Sequence, residues 1–100
     1  MSTSGNIYIS GRNFYIDGDG YPEHVIPYLR DLVRSSKKFA KRAKLPLIDS
    51  ILYMIFKEND NIISGEIIKP NYEYMITETG QVYWRNVHEK EWHKKTPKNK

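Results

Sequence analysis

One hundred residues, 39% hydrophobic and 28% charged, suffice for one domain with one core and are too few for two. The chain has no cysteine, no apolar run near the roughly 18 residues of a membrane span and no secretory signal, so it reads as a soluble cytoplasmic protein without disulfides, thiolate chemistry or a membrane partner. The formal net charge is only +4, so any attraction for a polyanion depends on where the charges lie.

Asn6-Ile7-Tyr8-Ile9-Ser10 and Asn13-Phe14-Tyr15-Ile16-Asp17 are short β-rich runs separated by Gly11-Arg12, which predicts a tight hairpin. Asp17-Gly18-Asp19-Gly20 breaks the strand, since both glycines accept positive φ and both aspartates favour turns. Helical spacing then sets in: Val25, Ile26, Leu29, Leu32, Val33, Ala40 and Ala43 share an arc of about 140°. Pro27 places the start of regular helix near Ile26, with the proline in the first turn. Ser35-Ser36 is a weak point at which this helix would break if it breaks anywhere.

Residues 30–44 carry Arg30, Arg34, Lys37, Lys38, Lys41, Arg42 and Lys44 against a single acid, Asp31, a local charge of +6. On the same helical wheel these cations occupy the arc from roughly −40° to +120°, almost complementary to the apolar stripe. One side of the rod is therefore expected to pack inside and the other to form a basic ridge.

Lys44-Leu45-Pro46 punctuates the pattern, and Pro46 suits the first position of a second helix over 46–58. Its apolar residues Leu47, Ile48, Ile51, Leu52, Met54, Ile55 and Phe56 spread over about 200° of the wheel, wider than a one-sided stripe. Burial against a sheet accounts for such an arc; the sharper alternative is a homodimer in which this helix or an exposed strand edge meets a second copy. Asn59-Asp60-Asn61 ends the helix. Ile62 to Lys69 fits either a short strand or the packed end of the helix, and Pro70-Asn71 is another break.

Tyr72–Thr77 and Val82–Val87 read as a second hairpin around Glu78-Thr79-Gly80-Gln81. From His88 the chain is polar and aperiodic apart from Trp92, with five lysines against Glu89 and Glu91. The expected organisation is one domain over 1–87 and a flexible basic tail over 88–100. The order ββ-α-α-ββ predicts a two-layer α+β fold, an antiparallel sheet of two hairpins packed against two helices.

The opening Met1-Ser2-Thr3-Ser4-Gly5-Asn6-Ile7, then Tyr15, Asp19-Gly20-Tyr21-Pro22-Glu23 and Val25-Ile26-Pro27, together with the strand Tyr72–Ile76, resemble small uncharacterised proteins of phages, archaeal viruses and prokaryotes. Those proteins begin with Met-Gly/Ser-Thr-Arg and reach an Asp-Gly-Tyr-Pro motif that leads into a helix. Ser4 stands here where the arginine usually does. The resemblance implies an intracellular, mobile-element protein and carries no activity with it.

Asp17-Gly18-Asp19-Gly20 does not make a calcium loop, because Pro22 stands where the loop needs glycine and Tyr28 where it needs glutamate. Turn chemistry explains it better than a divalent site made from Asp17, Asp19 and Glu23. His24 beside Glu23 and Tyr21 offers a base and an acid but no nucleophile-base-orienter set. Neither Ser2 nor Thr3 has a partner that would mark an N-terminal nucleophile. His88 and His93 lack the spacing of a zinc site. The expectation is a non-enzymatic protein without cofactor or metal. The basic ridge remains: Arg30, Arg34, Lys37, Lys38, Lys41, Arg42 and Lys44, with Arg85 and the C-terminal lysines assisting, would contact the phosphates of DNA or RNA without reading sequence. Tyr83 and Trp84 would supply stacking surfaces. The alternative is a viral or mobile-element module that occupies a host protein through its spare aromatic and apolar surface.

Overall fold

Ile9 and Arg12 face each other at the end of the first hairpin, and the two residues between them, Ser10 (φ 49°) and Gly11 (φ 78°), both take left-handed backbone. Two positive φ in succession give the type I′ turn whose twist matches that of the strands it joins. The turn thus lies one residue earlier than Gly11-Arg12. The computed structural model describes residues 3–58 and 61–96. In chain order the elements are β1 Ser4–Ile9, β2 Arg12–Asp17, α1 Pro22–Ala43, α2 Leu47–Glu58, β3 Ile63–Ser64, β4 Tyr72–Ile76 and β5 Val82–Asn86.

The strands form one sheet in the order β3-β2-β1-β4-β5, with both helices packed against one face, so the α+β two-layer architecture holds. The sheet is mixed, however: β1 and β2 pair antiparallel, as do β4 and β5, but the hairpins meet through a parallel β1–β4 pair in which Ile7 faces Tyr74. The physical reason lies in the link from β3 to β4. It crosses β2 and β1 on the face away from the helices and delivers β4 in the same direction as β1.

Alternation along the strands separates the two faces. Ile7, Ile9, Phe14, Ile16, Tyr74, Ile76 and Val82 are buried under Val25, Ile26, Leu29, Leu32, Val33, Ile51 and Ile55 of the helices. Asn6, Tyr8, Tyr15, Glu73, Met75, Tyr83 and Arg85 point the other way. Over them runs the strap 65–71, pinned where the Asn6 Nδ2 donates to the Ile67 carbonyl (2.8 Å) and Asn6 Oδ1 accepts from the Ile67 N–H (2.9 Å).

Helix α1 begins at Pro22, four residues before the expected start. Tyr21 is its extended N-cap, and Pro22 sits at the first position, where the missing N–H has no helical partner anyway. Pro27 is then interior, and it leaves the Glu23 carbonyl without its usual donor; it is tolerated because Pro27 is exposed and lies near the helix start. The helix continues unbroken through Ser35-Ser36 to Ala43. It closes at Lys44 (φ 56°, ψ 46°), where the N–H groups of Lys44 and Leu45 both donate to the Ala40 carbonyl.

The Asp-Gly-Tyr-Pro segment is a clamp on the start of β1. The N–H groups of Gly18 and Gly20 both donate to the Thr3 carbonyl, at 3.0 and 2.9 Å. The buried Tyr74 hydroxyl donates to the Gly20 carbonyl. A Cβ on Gly20 would lie 2.8 Å from the Thr3 oxygen and 2.9 Å from the Ser4 carbonyl carbon, so the main chains approach too closely for any other residue.

Residues 88–96, the first part of the expected tail, fold back along β5. Trp84 and His93 exchange backbone hydrogen bonds (2.9 and 2.7 Å), and the Trp84 indole donates to the Lys95 carbonyl (2.7 Å). Residues 97–100 lie outside the described residues.

Candidate functional site

Because α1 is one continuous rod, the helical period places its cations as the wheel predicts. Arg30, Arg34, Lys37, Lys38, Lys41, Arg42 and Lys44 are all exposed. Among the described residues the ridge contains one ion pair, Arg34 Nη1 to Asp31 Oδ1 at 2.5 Å, with both side chains about two-thirds exposed. A pair so open to water neutralises little. Arg30 is engaged, though not by a carboxylate: it donates to the Thr96 hydroxyl (3.0 Å) and to the Lys94 carbonyl (2.7 Å). Those bonds lay residues 94–96 beside the first half of the ridge and bring Lys94 and Lys95 to its flank.

Arg85 does not belong to this surface. Strand alternation turns it to the opposite face of the sheet, where its Nε donates to Glu73 Oε1 (2.8 Å) and its guanidinium lies 4.3 Å from the centre of the Trp92 ring. There it neutralises a mostly buried carboxylate, which also accepts a hydrogen bond from the Tyr8 hydroxyl at 2.8 Å. Burial, followed by that bond to the Glu73 carboxylate, pushes the Tyr8 phenol up to about 12. The aromatics proposed for base stacking do not join the ridge either. The Trp84 ring packs against Tyr72 and His93, and strand alternation turns Tyr83 to the same far face of the sheet as Arg85.

A different aromatic pair lies next to the cations. Phe39 of α1 stacks on Tyr53 of α2 with ring centres 4.9 Å apart and planes 4° from parallel. The pair walls a groove of about 340 Å³ between the helices, lined also by Ser35, Lys38, Arg42 and Lys57. The Lys57 ammonium donates to the Tyr53 hydroxyl at 3.0 Å and lies 5.4 Å from the ring centre, which places it beyond the hydroxyl edge, not above the ring face. On the wheel Phe39 sits between the apolar stripe and the ridge, and an aromatic at that boundary is the signal that identifies the groove.

A second cleft, about 360 Å³, lies between the β2–α1 turn and α1 and is lined by Asp17, Asp19, His24, Tyr28 and Asn61. Its two carboxylates make it the wrong sign for an anion. Among the described residues no group of three or more histidine and acidic side chains is placed to hold a metal ion. His93 pairs with Glu89 (2.9 Å), and His88 has no part in that contact. No described helix is long and apolar enough to cross a membrane.

Comparison with protein-family models, with curated proteins and with solved structures finds no match to this chain. The functional reading therefore rests on the geometry of the two helices.

Proposed function

We propose that the protein is a non-enzymatic nucleic-acid-binding accessory protein that contacts phosphates through the α1 ridge without reading sequence. One observation carries this reading. Six exposed cations project from one unbroken helix and a seventh, Lys44, from its C-cap, and among the described residues Lys37, Lys38, Lys41, Arg42 and Lys44 have no carboxylate partner. Cations spaced along a rod can each neutralise a phosphate, and the release of the condensed counterions drives binding. The flanking residues 94 and 95 extend the same surface. A role in a mobile element and a place in the cytoplasm agree with the resemblance of the N-terminal motif.

The test is a salt titration with fluorescently labelled DNA and RNA. With four to five contacts, affinity falls about a hundredfold or more between about 50 and 200 mM salt. Replacing Lys37 and Lys41 together by Gln flattens the logarithmic slope by nearly two units. No binding at the lower salt, or binding that salt does not change, overturns the reading.

A protein partner is the second reading, favoured by apolar side chains left in solvent near the β3 edge. Phe56 is 64% exposed and Ile63 44% exposed. A second copy of the chain or a host protein would cover them. Capture of a defined partner after nuclease treatment, or a dimer mass in light scattering, supports this second reading.

A further inference from the structure

We infer that the groove between α1 and α2 receives an unpaired base, so that the ridge prefers single-stranded over duplex nucleic acid; this rests on reading α1 as a phosphate-binding surface. The charges alone are indifferent to strandedness. The groove is not. Tyr53 is 42% exposed although its ring is stacked on Phe39, so the pair offers aromatic surface to solvent and does not serve only as core. Lys38 and Arg42 stand one helical turn apart on the ridge side of this wall, and Lys57 stands at the hydroxyl edge of Tyr53. Among the described residues no carboxylate lines the groove.

Cations close to an aromatic wall match a nucleotide, which carries its charge and its π-face a few ångströms apart. In a duplex the π-faces are closed by stacking, and only the phosphates reach the protein. In a single strand the base can turn onto an aromatic side chain while its phosphates stay on the lysines and arginines. A groove of about 340 Å³ is in the range that encloses a group of that size. The Ser35 hydroxyl and the Tyr53 hydroxyl supply polar contacts of either sense at the margin, which suits any of the bases.

The experiment compares the full chain on an oligothymidylate of about 15 nucleotides with a blunt duplex of equal length, at one salt concentration, by fluorescence anisotropy. The single strand is expected to bind about tenfold tighter, despite its lower charge density. Tyr53→Leu, at a half-exposed position, collapses that preference towards unity, and Phe39→Leu does the same; a circular-dichroism melt confirms that each variant is folded. Lys37→Gln with Lys41→Gln weakens both ligands and keeps their ratio. Equal affinity for the two ligands, a duplex preference, or a ratio unmoved by Tyr53→Leu overturns the groove and leaves the electrostatic reading standing. Binding of neither ligand overturns both.

Discussion

The side-chain amide of Asn6 is paired at both ends with the main chain of Ile67, as one strand residue pairs with another: Nδ2 donates to the carbonyl, and Oδ1 accepts from the N–H. Asn6 is 2% exposed, so both bonds hold where water does not replace them. Asn6→Leu removes them together and strands two polar groups of the strap. A loss of about 1–3 kcal/mol is expected in chemical denaturation. Asn6→Asp, which keeps the acceptor and lacks the donor, should also destabilise.

Gly20 and Gly11 differ in why they must be glycine, and their alanine variants separate the reasons. At Gly20 the added methyl meets main-chain atoms of Thr3 and Ser4 that cannot give way without opening the clamp. At Gly11 nothing lies within 4 Å, and only the positive φ of 78° is strained. Gly11→Ala is expected to lose about 1 kcal/mol in a denaturant melt and Gly20→Ala clearly more. Equal losses would show that the clamp gives way easily.

Ser36 and Ser50 are both fully buried in the helical layer, and neither hydroxyl has a hydrogen-bond partner among the described residues. Alanine fills nearly the same space, removes the desolvated hydroxyl and has the higher helix propensity. Ser36→Ala and Ser50→Ala should each raise stability, by about 1 kcal/mol, as read from the denaturation midpoint.

Asp31 is the only acid within the 30–44 segment, and its bond to Arg34 is solvent-exposed. Asp31→Asn should leave the melting temperature nearly unchanged, because so open a pair is worth under about 1 kcal/mol. It should strengthen nucleic-acid binding several-fold at low salt, an advantage that fades as salt screens the ridge. The two measurements together separate charge from folding.

Glu89 fastens the segment that follows β5. The backbone N–H of Asn86 donates to Oε1 (2.9 Å), His93 bonds Oε2 and the Asn86 side chain adds a third bond. Led by the backbone bond, these contacts lower the carboxyl from its ordinary 4.5 to about 2. A depressed folded value means the stabilisation is complete above the unfolded value near 4.5 and is lost as pH falls towards 2. Tryptophan emission should report that step, since Trp84 and Trp92 both lie in or against the fastened segment. Glu89→Gln should remove the step.

What could be read from residue order was local. The hairpins, the turn at Asp17–Gly20 and the ridge follow from periods of 2 and 3.6 and from turn residues, and each needs only near neighbours. The parallel pairing of Ile7 with Tyr74 joins residues far apart in the chain, and the strap 65–71 that imposes it has no period at all. Ser35-Ser36 is weak by propensity, yet Ser36 packs wholly inside, and tertiary burial overrides a preference of that size. Charge alone groups Arg85 with the ridge. Its place in β5, paired with Glu73 across the sheet, sends it to the other face. The Phe39–Tyr53 wall needed two helices to be laid side by side, which no single-helix wheel can do.

The central position of β1 sets the order of events when the chain is made from its N-terminus. β1 pairs with β2 as soon as the first hairpin closes, but its other edge waits for Tyr72–Ile76. Until the ribosome has released those residues, the nascent chain carries an open strand edge with Ile7 and Ile9 on it, and the clamp of Tyr74 on Gly20 cannot form. Synthesis that stalls between β3 and β4 therefore leaves β1 with one edge unpaired, and an unpaired edge is a template for pairing with other copies.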